Sequence, residues 1–253
     1  KYFVTMFDKG SMLWQTENNK PLYPLNHKSV LNVDFSKDGK HLLTTSNDTI
    51  RLWSIEENKC TGVLPNCRGT LNAIFSPSGK YVITESTFED TLRLWSVKSG
   101  KVAHTFYHKS NMYLTPCVLS SDDKYILLRT PDNNYDIWSI DNEECIMDID
   151  HGSWIRYTKY HSDYVLTCGS NNAAIAKLWS INNGKCLSVF PHNSIVNTAN
   201  FSPDGRYVIT ASNDKTAKLW SVDGEYIDSF YNEKIVDFAD FSTCGKYVVT
   251  VCN

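Results

Sequence analysis

His192, Thr210 and Asp214 are an imidazole, a hydroxyl and a carboxylate, the residue types of a nucleophilic triad, and Trp220 follows six residues after the carboxylate. The same four types recur as His27, Thr44, Asp48 and Trp53, and in part as Thr84, Asp90 and Trp95. A catalytic constellation is required once, whereas this set is rebuilt along the chain. Hydrogen bonding is the chemistry it fits better: a buried indole N–H must find an acceptor, and a strand hydroxyl backed by His and Asp supplies one. Asn66 and Asn232 stand where His would, Leu128 where the strand Thr would, and Asn172 where the Asp would beside His151, Thr167 and Trp179. Complete relays are therefore not expected at Trp95, Trp138 and Trp179.

The elements that must hold these groups are plainest between Phe201 and Val222. A strand ends at Phe201-Ser202, a Pro-Asp-Gly turn reverses the chain, and Arg206–Ser212 forms a second strand of alternating β-branched residues. A second turn at Asn213-Asp214-Lys215 leads into a third strand carrying Leu219 and Trp220. Trp14, Trp53, Trp95, Trp138, Trp179 and Trp220 each follow an aliphatic residue, at successive separations of 39, 42, 43, 41 and 41. That period is the length of one four-stranded propeller blade.

With its Phe-Ser-Pro-Asp-Gly turn, the preceding His and the Trp some twenty residues later, the chain resembles the WD40 repeat family over nearly its whole length. The position after Trp departs from that family, where Asp is usual: here it is Ser54, Ser96, Ser139, Ser180 and Ser221. The resemblance implies an all-β propeller of four-stranded antiparallel blades. Repeats are expected at 1–26 (partial), 27–65, 66–107, 108–150, 151–191, 192–231 and 232–253 (partial), forming one domain. Tyr2–Thr5 matches Tyr207–Thr210, so the chain is expected to begin within a repeat of a longer protein. Seven blades with incomplete terminal ones are expected, and six is the alternative.

Bulk properties narrow the function. The 253 residues carry a net charge of −3, with 42% hydrophobic and 13% aromatic residues, which suits a large β core and gives no global field toward nucleic acid or anionic lipid. The eight cysteines contain no Cys-x-x-Cys. Cys60, Cys145 and Cys186 recur at the start of the strand after Trp, where a small buried side chain is expected; free thiols in a reducing compartment follow. No apolar run approaches the ~20 residues that span a bilayer, and no signal-peptide pattern opens the chain. Cytoplasmic residence is expected, with the nucleus as alternative. His27, His108, His151 and His192 belong to separate repeats and are not expected to share a metal. No phosphate-cradling loop or nucleophile elbow is present, and no cofactor is expected.

In the WD40 family the loops before the first strand, and between the second and third, face partners. That resemblance places Ser29, Gly69, Tyr113, Trp154, Ile195 and Ile235 in one series and Leu31, Leu71, Thr115, Arg156, Asn197 and Asp237 in another. Phe7, Asn47, Glu89, Asn171 and Asn213 precede the second loop, with Phe88 nearby. Trp154 is the one Trp outside the repeat position, and Trp179 already fills its blade. A partner site of Trp154, Arg156, Tyr113, Ile195, Ile235, Asn197, Asp237 and Phe88 is expected, since Trp, Tyr and Arg are the usual anchors of such surfaces. The leading expectation is a non-catalytic scaffold for a protein or peptide partner. An enzyme with a site in the central channel is disfavoured by the missing chemistry, and a phosphoinositide or nucleic-acid binder by the missing basic cluster.

Overall fold

The structure, a computed structural model, describes residues 1–7, 10–47, 49–65, 73–86, 91–107, 119–129, 134–169 and 174–252. Among them there is no helix, and hence none long and apolar enough to cross a membrane. The described strands form two compact units.

The first unit contains three sheets. These are β1 (Tyr2–Phe7), β2 (Gly10–Gln15) and β3 (Lys20–Leu25); then β4 (Val30–Phe35), β5 (His41–Ser46), β6 (Thr49–Ser54) and β7 (Lys59–Pro65); then β8 (Ala73–Phe75), β9 (Tyr81–Ser86), β10 (Thr91–Ser96) and β11 (Val102–Tyr107). The second unit contains four. They are β12 (Tyr125–Arg129), β13 (Tyr135–Ser139) and β14 (Glu144–Ile149); β15 (Ile155–His161), β16 (Tyr164–Gly169), β17 (Ile175–Ser180) and β18 (Cys186–Pro191); β19 (Val196–Phe201), β20 (Tyr207–Ser212), β21 (Thr216–Ser221) and β22 (Tyr226–Tyr231); and β23 (Val236–Phe241) with β24 (Val248–Cys252). Every sheet is an antiparallel meander with neighbours in sequence order, the architecture of WD40 propeller blades. In the repeat containing Leu119, that residue bridges Ile126, and the preceding strand expected there lies outside the described residues.

In the repeats of Ser36, Ser76, Ser120, Ser202 and Ser242 one serine fixes the first hairpin by accepting the N–H five residues on, whereas the β15–β16 hairpin has His161 in that place. Ser202 Oγ donates to Asp204 Oδ1 at 2.6 Å and accepts the Tyr207 N–H at 2.9 Å, and the Gly205 N–H closes on the Ser202 carbonyl. Gly205 has φ +71°, which a side chain tolerates poorly. Ser36, Asp38, Gly39 and His41 repeat the arrangement in the first unit.

Apolar residues on alternate strand positions meet between neighbouring sheets. In the second unit Leu166, Leu178, Phe190, Val196, Val208 and Trp220 form one such layer. In the first, Leu43, Leu52, Leu64, Phe75, Val82 and Trp95 form another. The first strands converge: β15 packs beside β19 and β19 beside β23. Cysteines depart from expectation. Cys145 and Cys186 are exposed and Cys60 only half-buried, because they open the outermost strand, beyond the inter-sheet layers. The described cysteines are free thiols.

Candidate functional site

The recurring polar set is a series of hydrogen-bonded relays. Thr210 pairs with Lys218 across the ladder, so Trp220, two residues on and on the same face, reaches the threonine diagonally. Its indole N–H donates to Thr210 Oγ1 at 2.9 Å. His192 Nε2 lies 2.7 Å from that oxygen and Nδ1 lies 2.8 Å from Asp214 Oδ2. Burial holds the His192 pKa below its ordinary value against the pull of Asp214. Burial also pushes Asp214 up, but hydrogen bonds from Thr216, the Asn193 N–H and His192 outweigh it and hold the carboxyl at about 2. The imidazole is neutral and the carboxylate charged at neutral pH.

The first unit repeats the inner half. Trp53 donates to Thr44 at 2.8 Å, and His27 Nδ1 lies 2.7 Å from the same hydroxyl. His27 Nε2 meets Ser46 and Thr49 at 2.9 and 3.0 Å; Asp48 lies outside the described residues. Trp14, Trp95 and Trp179 likewise donate to Thr5, Thr84 and Thr167, each at 2.8 Å, so the indole-to-threonine link persists where the full set of four is not present. Asp90, Asn66 and Asn172 are outside the described residues. At Trp138 the solution differs. Leu128 occupies the threonine place opposite Asp136, and the Trp138 side chain hydrogen-bonds Asp136.

Sequence reasoning missed the cation two residues before Trp53, Trp95, Trp179 and Trp220. Lys177 donates to the Asp150 carbonyl at 3.1 Å and Lys218 to the Pro191 carbonyl at 3.0 Å, while Arg51 donates to that of Asn26. Lys177 and Lys218 also sit 5.4 and 5.6 Å from the ring centroids of Trp179 and Trp220. The signal was present, since Arg51, Arg93, Lys177 and Lys218 all open the motif x-Leu-Trp. Asp136 replaces the cation in the one repeat that lacks the threonine. It faces Asp148 across the ladder, and Asp136, Cys145 and Asp148 bring their ligand atoms within 4.8 Å of one another. Burial first, then Asp148, pushes Asp136 up to about 6.

Trp154 is 50% exposed, whereas Trp220 is 4% exposed. It precedes β15 as Ile195 precedes β19 and Ile235 precedes β23, so these three residues stand before first strands that pack side by side. Ile235 is exposed and Ile195 half-buried. Tyr113 and Phe88 lie outside the described residues. Tyr135, also missed, anchors the loop: its hydroxyl accepts the Ile155 N–H at 3.0 Å and donates to the Ile155 carbonyl at 3.3 Å.

The second series shares a backbone feature. The ladder register skips Leu31, Arg156, Asn197 and Asp237, each the extra residue of a β-bulge at the start of a first strand. A bulge re-aims its side chain, so simple alternation does not relate Arg156 to Trp154. The Arg156 guanidinium donates to Asn197 Oδ1 at 3.2 Å. Asn197 is buried, and its amide donates to Asn213 Oδ1 at 2.8 Å and the Val236 carbonyl at 2.9 Å. The bulges thus link β15, β19 and β23, with Arg156 exposed at one end and Asn197 serving as internal strut.

Comparison with known proteins agrees with this architecture. The family described as "WD domain, G-beta repeat" matches residues 19–54 and 184–221. The chain is also similar to "U3 small nucleolar RNA-associated protein 12" of Saccharomyces cerevisiae, 25% identical over 137 residues, which are 54% of this chain and 14% of that relative.

Proposed function

The chain carries WD40 repeats, and on that premise we propose that it docks a peptide or loop of a protein partner on the loops preceding β15, β19 and β23. The matches to WD40 repeats support an interaction scaffold in general. The observation that carries the finer reading is Trp154, a large aromatic left half exposed by a loop that Tyr135 pins in place. A rigid aromatic loses little entropy on docking and desolvates a large area. Ile195 and Ile235 extend the apolar surface, Arg156 supplies a planar cation, Asn197 stiffens the bulges beneath, and Asp237 stands at the bulge of β23.

The triad-like residues take no catalytic part in this reading. Thr210 Oγ1 already accepts from Trp220 and is fully buried, so the hydroxyl serves the core. We place the protein in the cytoplasm or nucleus; the nucleolar name of the relative makes the nucleus worth testing first. Affinity purification with Trp154→Ala beside Tyr226→Ala, a substitution on the outer strand β22, tests the docking surface. Partners lost with the first and kept with the second support it; partners kept by both refute it.

A further inference from the structure

A cavity of about 290 Å³ opens beside Trp154, lined by Asn134, Tyr135, Ile149, His151, Gly152, Ser153 and Trp154. A water takes about 30 Å³ in the liquid, so the space holds a small polar side chain with its hydration. Two polar groups in its wall lack partners. His151 is only 3% exposed, and its Nε2 has no hydrogen bond; the buried Ser153 Oγ has none either. Buried polar groups are almost always satisfied, and exceptions call for an explanation.

The partners of Thr167 determine what His151 offers. Thr167 Oγ1 accepts the Trp179 N–H at 2.8 Å and lies 2.8 Å from His151 Nδ1. Thr210 has the Lys218 carbonyl as a further acceptor, whereas Thr167 has no such acceptor among the described residues. Its proton therefore goes to His151 Nδ1, which leaves the neutral ring protonated at Nε2. Burial first, then Lys177, holds the His151 pKa at about 4 against the opposing pull of Asp150. Lys177 thus outweighs Asp150 at the ring, and one Asp150 oxygen is occupied by the Gly152 N–H at 3.0 Å. At the corresponding place in the first sheet a cavity borders His27, but both ring nitrogens of His27 are engaged.

We propose that the cavity beside Trp154 is a carboxylate subsite, in which His151 Nε2–H and the Ser153 hydroxyl donate to an acidic side chain or a C-terminal carboxylate of the docked segment. A carboxylate has two oxygens and accepts without donating, which fits two unsatisfied donors in a wall whose described lining residues carry no charge. The inference rests on the docking reading, naming the chemistry that the segment brings to Trp154.

The test is ¹⁵N-histidine NMR on the whole chain, titrated with acetyl-Asp-Leu-amide, its neutral isostere acetyl-Asn-Leu-amide, and acetyl-Leu-Ala bearing a free C-terminal carboxylate. His151 is expected to be protonated at Nε2. One of the acids should shift that signal saturably, with the Asn isostere at least about tenfold weaker. Whichever acid binds more tightly identifies the carboxylate source. Ser153→Ala should weaken the acid by about three- to tenfold without moving the thermal midpoint, and Asn172→Ala should leave the response intact. An unprotonated Nε2, equal responses to acid and amide, or loss of the response in Asn172→Ala overturns the subsite. Partner capture that depends on Trp154 with no acid response leaves the docking surface standing and removes only the subsite. An acid response with partners indifferent to Trp154→Ala does the reverse.

Discussion

His192 Nδ1 lies 2.8 Å from Asp214 Oδ2, on the side of the ring away from Thr210, whereas in the His27 and His151 sheets it is Nδ1 that meets the strand threonine. One motif therefore supports two ring orientations. Where the turn carboxylate accepts from Nδ1, as at Asp214, Nε2 is left for the threonine. Where the ring is reversed, Nε2 is turned toward other groups: Ser46 and Thr49 take it at His27, and no described group does at His151. The shared invariant is the threonine, which receives the indole N–H in each case.

The relay predicts graded losses in stability. Thr210→Ala strips the acceptor from Trp220 and a partner from His192, and should cost roughly 1–3 kcal/mol. Trp220→Ala removes a core side chain that touches Phe190 and Tyr226 and should cost about 3–5 kcal/mol. Denaturant titration measures both. Unchanged midpoints would show that these residues are not structural.

Acid should weaken the fold before most carboxylates titrate. Burial holds His27 and His151 at about 4 in the folded chain, below the ordinary histidine value of about 6.5. Between those values the unfolded chain binds more protons, so stability falls as pH drops through that window, by on the order of 1 kcal/mol per histidine once the shift is discounted for solvent screening. Thermal midpoints from about pH 7.5 to about pH 4.5 should fall, and less steeply in the His27→Gln/His151→Gln double variant. Equal slopes would contradict neutral, buried rings.

The repeat was legible because hairpin chemistry and Trp spacing are local and periodic. From the Ser-x-Asp-Gly turns and the alternating second strands, the sheet meander follows almost directly. Other features depend on neighbours that a single repeat does not display. Arg156 and Asn197 look alike in spacing, yet the bulge leaves one exposed and ties the other to Val236 of the next sheet. Cys145 and Cys186 sit at a regular position, but the outermost strand has no sheet packed beyond it at that point. The link at Trp138 escaped because Leu128 and Asp136 change together, and either alone reads as a simple loss.

Asp136 supplies a prediction of opposite sign. Its carboxyl is pushed up to about 6 by burial and by Asp148 opposite, so the folded chain binds the extra proton. Stability is lost as pH rises from the ordinary aspartate value through about 6. Asp136→Asn keeps an acceptor for Trp138 while removing the repulsion, and should stabilise the protein at neutral pH by on the order of 1 kcal/mol, discounted for solvent screening. A variant that melts lower at pH 7.5 than the unsubstituted chain would refute the repulsion.

The docking surface stands or falls on Trp154. Binding of a recovered partner and thermal midpoint should be measured together on Trp154→Ala and Trp220→Ala. The account predicts that Trp154→Ala loses about 30-fold or more in affinity while melting like the unsubstituted protein, and that Trp220→Ala melts far lower. Undiminished affinity in Trp154→Ala, or a midpoint as low as that of Trp220→Ala, would show that Trp154 belongs to the core and that the partner docks elsewhere.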